Sequence, residues 1–295
     1  MRARPLRSPR WAAAAACFAA VSAGCLAGCD VGGAAREPTD VSRPTLGAPG
    51  TTVRVLQMNL CNSGRAGCYS HGRAITLAAA LVHEHQPEMV SLNEVCRSDL
   101  RPLEQALSAG FPKAAVATAF APAKDRQTQA PVRCQNGQEF GDGVLLVVAR
   151  PEGGARTDSG LYPAQDLQDT EERVWVCIHL AAGLSACTTH TSSTDAAVAL
   201  NQCRYLLDSV VPMISRRGGV GPIIIGADLN LAARGSPSPQ SCVPSGYQRT
   251  DDGGLQDVMV GPDLRVRGHW VLDMHGTTDH PGLLVDVDLR PPSVG

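Results

Sequence analysis

Apolar residues fall along this chain in two kinds of run, short β-type runs and longer stretches with helical spacing, and the two kinds alternate. Val53 to Met58 alternates and is rich in β-forming residues, which predicts a strand that ends at Asn59. From His71 to His85 the apolar positions Ala74, Leu77, Ala78, Leu81 and Val82 recur at helical steps, the mark of a helix packed on one face. Glu88 to Leu92 predicts a strand leading to Glu94, residues 99–109 a short helix, and Ala114 to Ala119 a further strand. Residues 121–138 are polar, carry Pro122 and Pro131, and read as a long surface loop. Val144 to Ala149 is a continuous β-type run, expected of a strand buried on both faces.

In the second half, Arg173 to Leu180 and Ser185 to Thr191 read as a hairpin around Ala181 to Gly183. Asp195 to Arg216 is the longest helical pattern, with Ala199, Cys203, Leu206, Leu207, Val210 and Val211 along one side and Gly218-Gly219 as its stop. Pro222 to Gly226 is a short, intensely apolar strand, and Val258 to Val260, Arg265 to Leu272 and Leu283 to Leu289 complete an all-strand C-terminal part. Strands alternating with helices, with hairpins included, predict an α/β sandwich of mixed sheets over a purely parallel doubly wound fold.

Length and composition add a single large core: 295 residues, 43% hydrophobic, with no repeat and no clear split. Residues 1–28 read as an export signal, with Arg2, Arg4, Arg7 and Arg10 ahead of an Ala-rich apolar stretch from Trp11 to Leu26. That stretch is too short and too weakly apolar for a membrane span. It ends in Leu26-Ala27-Gly28-Cys29, which resembles the lipobox of bacterial lipoproteins, so Cys29 is a candidate lipidation site; ordinary secretion with cleavage nearby is the alternative. Residues 29–50, rich in Gly, Pro, Ala, Ser and Thr, read as a flexible linker to an expected catalytic domain over 51–292.

Residues 1–28 hold four arginines and no acidic residue, so the remainder carries 22 basic and 28 acidic residues, a net charge of −6. This balance weighs against avid non-specific binding of nucleic acid, though not against an enzyme that touches a few phosphates. Eight cysteines follow the signal and Cys29, an even number that implies a disulfide framework in an exported chain. None forms a CxxC pair, so a zinc site is not indicated. Cys61 with Cys68 and Cys177 with Cys187 are the easiest local pairings; the others are left open.

Against this frame, four widely separated segments end apolar runs with metal- or phosphate-type side chains: Gln57 to Leu60, Leu92 to Val95, Gly226 to Asn230, and Thr278 to Pro281. Rigid strands hold such groups at fixed separations where they emerge into loops. Asp228 and Asn230 stand two apart at a strand end, so both side chains can face one side. A carboxylate beside an amide suits a hydrated cation and a phosphate oxygen, although Asp and Asn are also common turn formers. Asp279-His280 places a carboxylate next to an imidazole, a metal ligand beside a base.

The ordered set Asn59, Glu94, Asp228-x-Asn230 and Asp279-His280 resembles the endonuclease/exonuclease/phosphatase superfamily, over about residues 52–290. Gly141 to Leu146 looks like that family's Gly-Asn-Ala strand, Thr188-Thr189-His190 like its Thr-His strand end, and Gln256 to Val260 like its Ile-Asp-Tyr-Ile segment. The chain departs from the pattern at Asp142, where Asn is frequent, at Ala227, where Gly usually precedes the Asp, and at Leu229, which replaces a common aromatic.

The resemblance implies a four-layer α/β/β/α sandwich of two mixed sheets flanked by helices, in the manner of DNase I. It implies Glu94 as main Mg2+ ligand, with Mn2+ the alternative ion, and Asn59 and Asp279 holding the metal water shell or the scissile phosphate. His280 would be the general base or the transition-state cation, and Asp257 would orient it, with Asp273 the competing acidic candidate. Asp228 would position water, Asn230 would bond a phosphate oxygen, and His190 would stand near the leaving group. The expected activity is in-line phosphodiester hydrolysis by an extracytoplasmic monomer, tethered to the membrane if Cys29 is lipidated. Nucleic acid is the first substrate class and a phospholipid head group, as in sphingomyelinases, the second. A surface binding protein that has lost turnover is the reading from a different class.

Overall fold

The structure is a computed structural model, and it describes residues 51–148, 154–180, 183–218 and 221–289. The export signal over 1–28, Cys29, the linker over 29–50, and residues 290–292 of the expected domain lie outside the described residues. Two six-stranded mixed sheets pack face to face, and a helical layer covers the outer face of each.

In the first sheet, the alternating run Thr52–Asn59 forms β1, and helix α1 (Arg73–His85) carries the chain over to β2 (Met89–Cys96), which pairs parallel to β1. Helix α2 (Leu100–Gly110), β3 (Ala115–Pro122) and β5 (Phe140–Val148) follow, with the short β4 (Lys124–Asp125) between the last two. Two C-terminal strands, β13 (Leu264–Leu272) and β14 (Gly282–Leu289), complete the order β13-β14-β1-β2-β5-β3. Ala74, Ile75, Ala78, Leu81 and Val82 of α1, with Leu100, Leu103 and Leu107 of α2, bury the apolar stripe on this sheet.

The second sheet has the order β11-β12-β10-β9-β8-β6. It is built from β6 (Ala155–Leu161), β8 (Val174–Leu180), β9 (Ser185–His190), β10 (Ile223–Asp228), β11 (Gln248–Asp251) and β12 (Gln256–Val260); the two-residue β7 (Glu171–Glu172) pairs instead with β4. β9 and β10 are parallel, joined by helices α3 (Ala196–Tyr205) and α4 (Val211–Gly218). Asp195 caps α3 by accepting from the backbone N–H groups of Ala197 and Val198.

The predicted four-layer mixed α/β sandwich is therefore present, with several local differences. The single helix expected over 195–216 is two α segments joined by a wide π-type turn at Leu206–Val210. The segment 121–138 is more than a loop, since it carries β4 and its Cys134 is bonded to Cys96. β6 and β11 were not anticipated, because both are edge strands with polar faces; β6 exposes most of its residues. The disulfides are Cys61–Cys68, Cys96–Cys134, Cys177–Cys187 and Cys203–Cys242, the first and third being the expected local pairs. Among the described residues no helix is long and apolar enough to cross a membrane.

Candidate active site

The two parallel strand pairs end side by side. In the first sheet Asn59, at the end of β1, and Asn93 are the last register partners of β1 and β2; in the second, Asp228 and His190 are partners at the ends of β10 and β9. Between Leu92 and Val95 the register of β2 against β5 slips, so that Asn93 and Glu94 together face Asp142. Glu94 adopts a left-handed φ of 55° in this bulge, which breaks the strand's alternation and re-aims its side chain. Cys61 (φ 44°) and Asn230 (φ 49°) are also left-handed, so three non-glycine residues around one site carry backbone strain of a kind that clusters at functional sites.

Asn59 ties the sheets together. It is 1% exposed, donates through Nδ2 to Glu94 Oε1 (2.8 Å) and Asp228 Oδ2 (3.0 Å), and accepts at Oδ1 from the Cys61 N–H (3.0 Å). Thr278 donates from Oγ1 to the Asn59 carbonyl (3.0 Å), which brings Asp279 and His280 to the same place. His280 Nε2 lies 3.6 Å from Asp228 Oδ2 and 3.7 Å from Asp279 Oδ1, while His190 Nε2 lies 4.0 Å from Glu94 Oε1. Asn230 donates its backbone N–H to Asp228 Oδ1 (3.1 Å) and its Nδ2 to the Thr191 carbonyl (2.9 Å). Seven of the eight residues expected in the site thus come together.

The eighth, Asp257, does not reach His280. Asp228 pairs in register with Gln256, and strand alternation points those two side chains to one face and Asp257 to the other. There the fully buried Asp257 contacts Arg249, with Oδ1 2.6 Å from Nε. Asp273 is exposed and is held by His275 at 2.9 Å. The group beneath His280 is Gln256, whose Nε2 donates to Asp228 Oδ2 (2.6 Å) and lies 3.4 Å from His280 Nδ1.

A buried polar layer supports this constellation. Gln57 donates to Gln256 Oε1 (2.9 Å) and Asn93 Oδ1 (2.7 Å); Asn93 donates to Asp142 Oδ1 (3.0 Å); Ser91 bonds Thr188 (2.7 Å). Gln57, Asn93, Gln256 and Arg173, which sits 3.0 Å from His190 Nδ1, were not foreseen as site residues. The signal that finds Gln256 is parity: in antiparallel pairing it shares a face with Asp228.

Burial raises the Glu94 carboxyl above the usual range, assisted by repulsion from Asp228 and Asp279 and opposed by the Asn59 hydrogen bond and Arg173. Burial also raises Asp228, against His280, Asn59, Asn230 and Gln256. Asp142 is pushed up to about 8, chiefly by burial, and is neutral at pH 7. Burial, then Arg173 and His280, hold His190 well below the ordinary imidazole range. Buried carboxylates that repel one another fit a hard divalent cation, and the offered donors are oxygens. Glu94 keeps a second oxygen beyond its bond to Asn59, and the Asp279 side chain is 59% exposed, which leaves room for a partly hydrated ion. Asn59 acts as a brace here, its amide shared among Glu94, Asp228 and Cys61. The sulfurs of Cys61 and Cys68 lie within 4.8 Å of an Asp279 oxygen, but they are bonded to each other.

The same fold occurs in solved structures. An endonuclease/exonuclease/phosphatase from Beutenbergia cavernae matches at 18% identity over 83% of this chain and 73% of its own, with a TM-score of 0.59. The human nocturnin catalytic domain, solved with a bound sulfate anion, matches at 15% identity over 81% of this chain and 95% of its own, with a TM-score of 0.57. A mannosyl-6-phosphatase from Bacteroides thetaiotaomicron matches at 13% identity, over 80% and 99%, with a TM-score of 0.54. No family model matches the sequence, and no curated protein matches it. The chain has the endonuclease/exonuclease/phosphatase fold.

Proposed function

We propose that this protein is a divalent-metal-dependent phosphodiester hydrolase, with nucleic acid as the first substrate class and a phospholipid head group as the second. The observation that carries the reading is the convergence of Asn59, Glu94, His190, Asp228, Asn230, Asp279 and His280 on the matched ends of two parallel strand pairs. A fold neighbour named as a mannosyl-6-phosphatase, and another solved with a bound sulfate, a tetrahedral oxyanion, support the same class.

Glu94 and Asp279 would hold Mg2+, or Mn2+ in its place, and the ion would neutralise a non-bridging phosphate oxygen and the departing alkoxide. Asp228, braced by Asn59, Gln256 and the Asn230 backbone, orients the attacking water and receives its proton. His280 and Asn230 face the phosphoryl oxygens as they gain charge. No side chain in the set serves as a covalent nucleophile, so the expected displacement is in line and direct.

A second reading, an oxyanion-binding protein without turnover, is favoured by one observation: the Nδ1 nitrogens of His190 and His280 meet nitrogen donors, from Arg173 and Gln256 respectively, rather than carboxylates. We further propose that the protein works outside the cytoplasm, anchored through Cys29 if that residue is lipidated; the four disulfides support an oxidising compartment. The test is hydrolysis of supercoiled plasmid and of sphingomyelin by the disulfide-bonded protein, with Mg2+ and with excess EDTA. EDTA-sensitive nicking establishes a nuclease and sphingomyelin turnover the lipid branch. Tight phosphate binding with silence on both substrates and on a simple aryl phosphodiester establishes the binder.

A further inference from the structure

His190 stands with its Nε2 edge toward Glu94 Oε1 at 4.0 Å, and its other nitrogen is engaged from behind by an arginine. Arg173 precedes β8 and is 6% exposed, and its Nη1 lies 3.0 Å from His190 Nδ1. The guanidinium is held in place by Asp169 (Nη2 to Oδ2, 3.1 Å), Glu171 (Nη1 to Oε1, 3.2 Å) and Ser193 Oγ (3.2 Å from Nη2). Its backbone N–H also donates to Gln165 Oε1 (2.8 Å). Two carboxylates compensate the charge, so the cation remains a cation although it is buried.

A guanidinium has only N–H groups and no acceptor. Its contact with Nδ1 is therefore an N–H donated into the ring's lone pair, and a neutral imidazole with that lone pair committed carries its hydrogen on Nε2. We infer that Arg173 is a positioning residue that fixes His190 in the Nε2–H tautomer, which makes His190 a hydrogen-bond donor to a phosphoryl or leaving-group oxygen and not a proton-transfer group. This deepens the phosphoester reading and rests on it for the identity of the acceptor. The proton on the departing alkoxide then comes from solvent water, and His190 gains and loses none during turnover. A carboxylate behind the ring would dictate the reverse, drawing a proton to Nδ1 and freeing Nε2 as a base.

The tautomer is read directly from long-range imidazole 1H–15N correlations on the intact, disulfide-bonded, 15N-labelled protein at neutral pH, with His190 assigned by the signals that disappear in His190→Gln. A protonated-type Nε2 and a lone-pair-type Nδ1 are expected; a proton on Nδ1 overturns the inference. Arg173→Lys, which keeps a donor, should preserve the tautomer. Kinetics supply the second arm. An amide replaces a donor but cannot relay a proton, so kcat should fall by less than about tenfold in His190→Gln and by about 100-fold or more in His190→Ala. Equal, large losses in both overturn the inference. Should the wild type hydrolyse nothing while showing the expected tautomer, the hydrolase reading fails and the assignment of Arg173 stands; turnover with a proton on Nδ1 gives the opposite result.

Discussion

Asp142 is a carboxyl buried between the sheets beside the Glu94 bulge, and its replacement by Asn has a calculable consequence. Its Oδ1 accepts from Asn93 Nδ2 at 3.0 Å, a bond an amide oxygen can also accept. Burial is the main cause of its rise to about 8; Glu171 and Glu94 add to it, and the Asn93 hydrogen bond and Arg173 oppose it. An unfolded aspartate titrates near about 3.9, so between these values the folded chain holds one proton that the unfolded chain has released. The folded pKa is the higher one, so this group's stabilisation is complete below about pH 4, is lost as pH rises toward about 8, and changes no further above it. At about 1.4 kcal/mol per unit, the loss by pH 7 is on the order of 4 kcal/mol. Asn does not titrate, so Asp142→Asn should match the wild type near pH 4 and exceed it by about 2–4 kcal/mol at pH 7, after allowance for relaxation around a buried charge. Urea unfolding of both proteins, disulfides intact, at several pH values between 4 and 9 measures the difference. A pH-independent gap, or a variant less stable than the wild type at pH 8, refutes the claim that this carboxyl is buried neutral.

Other outcomes follow from the same geometry. Glu94→Gln and His280→Ala should each lower hydrolysis by more than about 100-fold with native circular dichroism, and an unchanged rate in both refutes the site assignment. Mg2+ at about 100 times its Kd should stabilise the wild type by about 2.7 kcal/mol and Glu94→Gln by much less, measured as the shift in unfolding midpoint; equal shifts place the ion elsewhere. Arg249→Leu, which leaves the buried Asp257 without its 2.6 Å partner, should cost about 3–5 kcal/mol at pH 7 while the folded fraction keeps its activity, whereas Gln256→Leu should reduce activity; a reversed pattern restores Asp257 to the site. Gly226→Ala should destabilise by about 1–3 kcal/mol in thermal unfolding, because a Cβ there would stand 2.4 Å from Ser91 Oγ and 2.6 Å from Gln57 Oε1; an unaffected midpoint means the sheets part without cost.

The sequence pattern located most of this site because its residues punctuate strong apolar runs: Val53–Met58 ahead of Asn59, and Ile223–Ile225 ahead of Asp228, carry the β signal and the chemistry together. What it misread depends on pairing across long separations. Gln256 and Asp257 are neighbours, and a carboxylate is the more natural partner for an imidazole. Only the register of β12 on β10 decides that Gln256 faces His280 and Asp257 faces Arg249. Arg173 sits in Glu171-Glu172-Arg173, which reads locally as solvated charge, yet it is 6% exposed, held by Asp169 and Glu171 behind His190. The bulge at Glu94 likewise leaves no local mark, since alternation assumes an even pleat. Cys61–Cys68 and Cys177–Cys187 were legible because a short loop and a hairpin bring them together, whereas Cys96–Cys134 and Cys203–Cys242 join elements about 40 residues apart.

Between the two sheets the interior changes character along the strands. Toward one end the facing residues are aliphatic, among them Val53, Val55, Leu146, Leu180 and Val260. Toward the site they are Gln57, Ser91, Asn93, Asp142, Thr188 and Gln256, all buried. Polar groups taken from water at this depth are tolerated only when bonded, and these bond mainly across the gap, from one sheet to the other. The glycine at 226 lets Ser91 and Gln57 approach β10 closely enough for those bonds to form. The layer therefore fixes the sheets' separation in directional contacts where aliphatic packing would leave it looser. It places Asn59, which spans the gap between Glu94 and Asp228, at a distance set by the whole sandwich. The spacing of the two carboxylates, on which the proposed cation binding and water placement would both depend, is thus a property of the sheet interface rather than of the loops that surround it.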